Sequence, residues 1–226
     1  MWGCCWRVGR PAGGLCWWYA PTGHHLCNVP PQANAAWAKS PARHHFLAAY
    51  RDYVRHVVLP RVDRTRSGRC VCQAEPTIRV ALPGGRAAGG RPRCDAEYFH
   101  QAAELTFHMP CTDGATMLVA CHPAVGDASS AAGISPASEL APLRVTLGQC
   151  ASFWGHRLAH GSTHNGGEQC LVSIDFRVIP WPLFAIDREH ARSSSHNLTL
   201  GGYYSVVEAA TATSCSTNSS SFDYQP

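Results

Sequence analysis

The chain has 226 residues, a formal net charge of +4 and 45% hydrophobic residues. This length and composition predict one globular domain with a sizeable core and exclude a disordered polymer. The 19 basic residues are scattered, so we expect a solvated surface and no nucleic-acid partner. No apolar run approaches the roughly 18–20 residues that span a bilayer, so we expect no membrane partner either.

The N-terminal residues are rich in Trp and Cys but are interrupted by Arg7, Arg10 and Pro11. A signal peptide needs about 7–15 uninterrupted apolar residues, so the sequence favours a cytoplasmic protein. The 12 cysteines include no Cys-x-x-Cys pair, which favours free thiols acting as small core residues. Disulfides, a zinc site and a cysteine-rich secreted protein are the alternatives.

Composition divides the chain into three segments. Residues 1–39 show no steady period, and we expect an appended, poorly ordered segment. Residues 40–210 form the predicted domain, and residues 211–226 are a Ser/Thr-rich tail that we expect to fray.

One helix is clear from its periodicity. Ser40 can cap it, Pro41 suits its first position, and Pro60 is expected to end it, so it should run to Leu59. Its apolar residues recur at steps of three and four and therefore share one face: Phe46, Leu47, Tyr50, Tyr53, Val54, Val57 and Val58. We expect this face to pack against a sheet.

The rest of the domain reads as short strands separated by turns, with residues 61–73 as a polar loop. The predicted strands are Thr77–Leu82, Ala103–Met109, Thr116–Cys121, Leu143–Leu147, Ala151–Trp154 and Leu171–Ile179. In the second of these, alternation directs Leu105, Phe107 and Met109 to one face. Glu104, Thr106 and His108 then share the other face. Short strands at about ten-residue spacing indicate a sandwich or barrel.

Two separated segments carry a distinctive set of residues. The first contains Asp95-Ala-Glu-Tyr98, His100-Gln101, Glu104, Phe107, Pro110 and Thr112. The second contains Phe153-Trp154-Gly155, His160-Gly161, Asn165 and Ser173-Ile-Asp175-Phe-Arg177, and Gly201-Gly-Tyr-Tyr204 follows. Over about residues 50–204 the chain thereby resembles small 2-oxoglutarate oxygenase-like proteins related to phytanoyl-coenzyme A hydroxylase and to a streptomycin-biosynthesis protein.

The resemblance implies a mainly β fold, a double-stranded β-helix (jelly roll, cupin-like) with a packing α-helix. It implies Asp95 and His160 as ligands of Fe(II), with Ser173 and Arg177 as residues that bind the co-substrate 2-oxoglutarate. Such sites hold iron with two histidines and one carboxylate and leave positions open for co-substrate and oxygen. The implied activity is hydroxylation of a small-molecule substrate.

Two positions depart from the pattern of this family. Arg93 stands where the first histidine ligand is expected, and an arginine cannot ligate a metal because it has no acceptor. Leu171 stands where an arginine would clamp 2-oxoglutarate. These departures leave open a second interpretation, a catalytically inactive relative that serves as a binding or structural module. In either case we expect Arg177 to form an ion pair with Asp175 or a neighbour.

Overall fold

The computed structural model describes residues 26–27, 31–85, 92–114, 116–120, 140–186 and 198–210. Within these ranges the protein is mainly β, and its α-helices lie in the N-terminal third. The 211–226 tail and most of the segment before Ser40 lie outside the described residues. No helix in the described ranges is both long and apolar enough to cross a bilayer.

Three helical pieces precede the sheet. Helix α1 covers Pro31–Lys39, and helix α2 covers Pro41–Tyr53. The Ser40 hydroxyl accepts a hydrogen bond from the amide of Ala42, so the predicted cap is confirmed.

The predicted end of the helix at Pro60 is wrong. A π-helical turn, Val54–Val58, follows α2, and helix α3 then covers Leu59–Val62. Proline lacks an N–H and its ring clashes with the carbonyl four residues earlier in a regular helix. The wider π turn lies directly ahead of Pro60, and this local widening is where the helix accommodates the ring.

The larger sheet of the described chain contains seven strands. They are β1 (Leu26–Cys27), β2 (Arg69–Gln73), β3 (Thr77–Ala81), β4 (Leu105–Pro110), β7 (Ala151–Phe153), β9 (Leu171–Pro180) and β10 (Tyr204–Glu208). Strand β9 is central: β4 pairs along one edge, while β3 and β2 pair with successive parts of the other. Every pairing is antiparallel except that of β1 with β3.

A second sheet of three antiparallel strands completes the described fold. It contains β5 (Met117–Ala120), β6 (Leu140–Pro142) and β8 (His160–Ser162), in the order β6-β5-β8. Side chains from this sheet reach the larger sheet, since His108 of β4 contacts Thr116 beside β5. The two sheets face each other, and the fold is a jelly roll covered on one side by helices.

Five strands differ from their prediction, and two of them, β1 and β8, lie where no strand was predicted. Residues 69–73 were predicted as loop, yet β2 is a buried strand whose Cys70 and Cys72 pack in the core. Residues 143–147 were predicted as strand, but the strand is β6 and ends at Pro142. Strand β10 was not predicted, because it depends on pairing with β2, more than 130 residues earlier in the chain.

The helix-facing side of the larger sheet is apolar, as predicted. Tyr50, Val54 and Val58 pack on this face of the sheet. Phe176 of β9 is fully buried there, and its ring stacks on Phe107 with centroids 5.0 Å apart. The thiols of Cys70, Cys72, Cys94, Cys111, Cys150 and Cys170 are free.

Candidate metal centre in the jelly-roll interior

The face of β4 and β9 that points away from the helices carries polar side chains. Because successive strand residues alternate between faces, Asp175 and Arg177 share this side of β9, and Thr106 and His108 share it on β4. All four are 8% exposed or less. Burying so many charges requires that each has a partner, and the partners define the site.

Asp95 lies at the start of a short 3-10 turn, Asp95–Tyr98, and is 3% exposed. Arg177 forks onto it: Nη2 donates to Oδ1 at 2.7 Å and Nε donates to Oδ2 at 3.0 Å. The Thr106 hydroxyl donates to Oδ2 at 2.9 Å. Oδ2 therefore has two donors, while Oδ1 has one and keeps a lone pair.

The pKa of Asp95 reflects opposing effects. Burial raises it, but the charge of Arg177 and the contact with His160 outweigh burial, so the pKa lies well below that of an ordinary aspartate. The carboxylate is therefore ionised at neutral pH, as a metal ligand must be.

His160 of β8 comes from the opposite sheet and meets Asp95. Its Nε2 lies 3.5 Å from Asp95 Oδ1, and its side chain is 6% exposed. Its Nδ1 lies 2.9 Å from the carbonyl oxygen of Leu158. A carbonyl only accepts hydrogen bonds, so Nδ1 carries a proton. Nε2 faces the carboxylate: with a proton it donates to Asp95, and without one it offers its lone pair to a cation bound between the two.

When Nε2 carries no proton, Asp95 Oδ1 and His160 Nε2 are two acceptors that need a metal cation between them. The pair Asp95 Oδ1 and His160 Nε2 fits a divalent cation at two coordination positions. Among the described residues no group of three or more His, Cys, Asp or Glu side chains could hold a metal ion. A cation here would therefore complete its coordination with water or co-substrate oxygens.

Arg93, which the resemblance places at a ligand position, lies next to His160. Its main chain pairs with His160 through two reciprocal hydrogen bonds of 3.0 Å, so residue 93 is held next to the candidate site. Its guanidinium carbon lies 4.7 Å from the centroid of the Tyr98 ring, a cation–π contact. This side chain thus packs on an aromatic ring.

The remaining predicted site residues lie on β9. Ser173 is 1% exposed and faces Arg79 of β3 and Pro110 of β4 in register. It is four residues from Arg177 on the same face, about 13 Å along the strand, so these two cannot hold one small group together. Asp175 is not the partner of Arg177, because the guanidinium is paired with Asp95.

Asp175 belongs to a second buried network. Arg79 Nε donates to its Oδ2, and His108 Nδ1 donates to its Oδ1 at 2.6 Å. His108 Nε2 lies 2.7 Å from the Thr116 hydroxyl. Burial raises the pKa of Asp175, but Arg79 and His108 together lower it by more than burial raises it, so the net shift is downward. This network joins the two sheets.

Two residues of the site were not assigned from the sequence, Thr106 and Gly155. The Gly155 carbonyl accepts a hydrogen bond from the Asp95 amide at 2.8 Å. A Cβ at Gly155 would lie 2.2 Å from Thr106 Oγ1 and 2.6 Å from Asp95 Oδ2, so only glycine fits. The strand parity of Thr106 with His108 was a usable signal, and so was the Phe-Trp-Gly motif.

Gln73 links this interior to the helices. Its main-chain oxygen accepts a hydrogen bond from the Tyr50 hydroxyl at 2.8 Å on the helical side. Its side-chain oxygen lies 3.5 Å from Arg177 Nη1 on the interior side. Gln73 is fully buried, so both contacts lie in the protein core.

Comparisons with known proteins establish no family for this chain. No family model matches it. No curated protein matches it either. Among solved structures it is similar to a non-heme monooxygenase, the ThoJ-Ni complex, with 19% sequence identity and a TM-score of 0.44. The match covers 66% of this chain and 63% of that chain, so the chain spans less than two thirds of the matched structure. The functional argument therefore depends on the site residues of this protein.

Proposed function

We propose that this protein is an Fe(II)- and 2-oxoglutarate-dependent oxygenase-like protein that hydroxylates a small substrate. The observation that carries the proposal is the convergence of Asp95, at the start of a 3-10 turn, and His160 of β8, with Oδ1 and Nε2 3.5 Å apart. When bound, the iron and its co-substrate supply the oxidising chemistry.

The residues of the chain have definite tasks in this proposal. Asp95 and His160 hold the metal ion. Arg177 and Thr106 orient the Asp95 carboxylate, and the Leu158 carbonyl fixes the proton on His160 Nδ1. Phe153 packs edge-on against the His160 ring at 5.2 Å and shields it from solvent.

The co-substrate is proposed to lie toward Ser173, whose hydroxyl can contact a carboxylate. The chain has Leu171 at the position of the family's clamping arginine, so we expect weak affinity for 2-oxoglutarate. Arg177 contributes to co-substrate binding only through Asp95, because its fork is already used there.

A second candidate function is favoured by Arg93 and Leu171. With two metal ligands and no clamping arginine, the jelly roll would be a catalytically inactive relative that binds a ligand or a protein. Asp95 remains paired in that case, because Arg177 already neutralises it.

One experiment separates the two candidates. Protein purified without oxygen is assayed for bound iron, and succinate release from 2-oxoglutarate is measured. His160→Ala should abolish iron binding, whereas His164→Ala, which changes an exposed histidine four residues later, should not. Iron at background level in the wild type, with no succinate, would support the inactive relative.

A restored variant gives the stronger test. Arg93→His with Leu171→Arg supplies the missing ligand and clamp, so iron affinity and succinate release should both rise. Arg144→His is the matched control, because Arg144 is exposed and lies outside the site. A restored variant that folds but binds no more iron than the wild type would show that the site is misplaced.

A further inference from the structure

Glu104 is the buried acidic residue of the described interior that forms no direct ion pair with an arginine or a lysine. Among the described residues, three interior carboxylates face two guanidiniums: Arg177 pairs with Asp95, and Arg79 pairs with Asp175. Glu104 is 1% exposed and has no Arg or Lys partner among these residues. Arg177 acts on Glu104 only through its charge at longer range, since the guanidinium is paired with Asp95.

Both hydrogen bonds of the Glu104 carboxylate involve the same oxygen, Oε2. His100 Nδ1 lies 2.9 Å from Oε2, and the Tyr204 hydroxyl donates to the same oxygen at 3.2 Å. Oε1 is shielded from solvent and has no hydrogen-bond partner in the described protein. A buried carboxylate oxygen without a donor costs free energy, so Oε1 is an acceptor available to a ligand that brings an N–H or O–H group.

Aromatic rings surround this carboxylate. Tyr203 packs edge-on against both His100 at 5.5 Å and Tyr204 at 4.8 Å. Burial raises the pKa of Tyr204, and the Glu104 charge raises it further, so the phenol stays protonated and donates. A carboxylate beside tyrosine rings is suited to an ammonium group, which combines a positive charge with three N–H donors.

The position of Glu104 relates it to the candidate metal centre. Glu104 directly precedes β4 and shares the interior side with Thr106, about 6–7 Å along the chain. The Thr106 hydroxyl donates to Asp95 at 2.9 Å. A small molecule anchored at Glu104 would therefore extend to the proposed metal within its own length.

We propose that Glu104 Oε1 binds a primary ammonium group, and that the small substrate is an amine. The word substrate depends on the proposed function, whereas the ammonium site depends only on Glu104 and its neighbours. We place access on the side of Tyr203, because Tyr203 is partly exposed while Tyr204 is fully buried.

The test uses chelator-treated full-length protein, so iron does not affect the result. Methylammonium chloride is titrated, with sodium chloride and tetramethylammonium chloride at equal ionic strength as controls. Methylammonium should raise the melting temperature and the controls should not, because tetramethylammonium has no N–H to donate. Glu104→Gln should weaken methylammonium binding about tenfold or more, as expected for a lost hydrogen bond to a charged group.

Glu168→Gln is the matched control, since Glu168 is exposed and the change in charge is the same. It should leave methylammonium binding unaltered. If Glu104→Gln does not fold, NMR on the wild type still decides the question. Methyl protons of bound methylammonium should show nuclear Overhauser effects to the rings of Tyr203 and Tyr204.

Equal responses of wild type and Glu104→Gln, or no response in the wild type, would overturn the ammonium site. That result would leave iron binding by Asp95 and His160 untouched. Conversely, the wild type could bind no iron in the anaerobic assay and still bind methylammonium through Glu104. That result would overturn the oxygenase proposal and retain this site.

Discussion

The two faces of strands β4 and β9 are built from alternate residues of the same strands, and one face is apolar whereas the other is charged. On the helical face, Phe107 and Phe176 stack and exclude water. On the interior face, Asp175 and Arg177 are equally buried but are neutralised by partners from other strands and turns. The helical face therefore stabilises the fold by burying apolar surface, whereas the interior face holds charges in defined positions and costs desolvation free energy.

The first test removes the apolar contact. Phe176→Ala should lower the free energy of unfolding by about 3–5 kcal/mol, because it deletes a fully buried ring and leaves a cavity. Urea denaturation measures the change. Leu183→Ala, at a residue 59% exposed, should cost well under about 1 kcal/mol. Similar losses in both variants would contradict the assignment of the helical face as the core.

The second test breaks the charged face. Arg177→Met should cost about 3–5 kcal/mol, because Asp95 is left buried without its guanidinium. Replacing both partners, in Asp95→Leu with Arg177→Met, should recover most of that loss. A double-mutant cycle from denaturant unfolding measures the coupling. Additive losses would show that the pair does not act as one unit.

A third test probes the close packing beside the carboxylate. Gly155→Ala should cost about 1–3 kcal/mol, because the added Cβ overlaps Thr106 and Asp95. Gly166→Ala is the control, since a Cβ there meets only a His164 ring atom at 4.0 Å. Equal melting temperatures for the two variants would mean that the Gly155 loop can move away from Asp95.

The smallest effect is expected from pH. The folded pKa of Asp175 is below its unfolded value of about 3.9, so its stabilisation is present above pH 4. It is lost as pH falls further, because the unfolded state takes up the proton first. Below pH 4 the slope of the unfolding free energy against pH reports how many protons are taken up on unfolding. Asp175→Asn should reduce this uptake by up to about one proton, whereas Asp52→Asn, at an exposed residue, should leave it unchanged. Urea midpoints from pH 2.5 to 5 measure this difference.

Regular periodicity explains which parts of the fold could be predicted. The helix face containing Tyr50 and Val54 and the alternation of β4 and β9 were clear in the sequence and are confirmed. Strand β2 was missed because Arg69–Gln73 mixes charged residues with cysteines, and its place depends on strands far along the chain. Local patterns do not encode such distant pairing.

The candidate site also combines features that the sequence indicates with features that depend on distant contacts. The family resemblance selected Asp95 and His160, and the structure brings their side chains together. The bond from Arg177 to Asp95 joins residues 82 positions apart, and no local pattern indicates it. The unpartnered oxygen of Glu104 likewise depends on the three-dimensional arrangement of its neighbours.

Gln73 contacts both sides of the larger sheet. Its main-chain oxygen accepts a hydrogen bond from the Tyr50 hydroxyl on the helical side, and its side-chain oxygen lies 3.5 Å from Arg177 Nη1 on the interior side. A displacement of strand β2 at residue 73 would therefore disturb the anchoring of α2 and the surroundings of the buried ion pair at the same time.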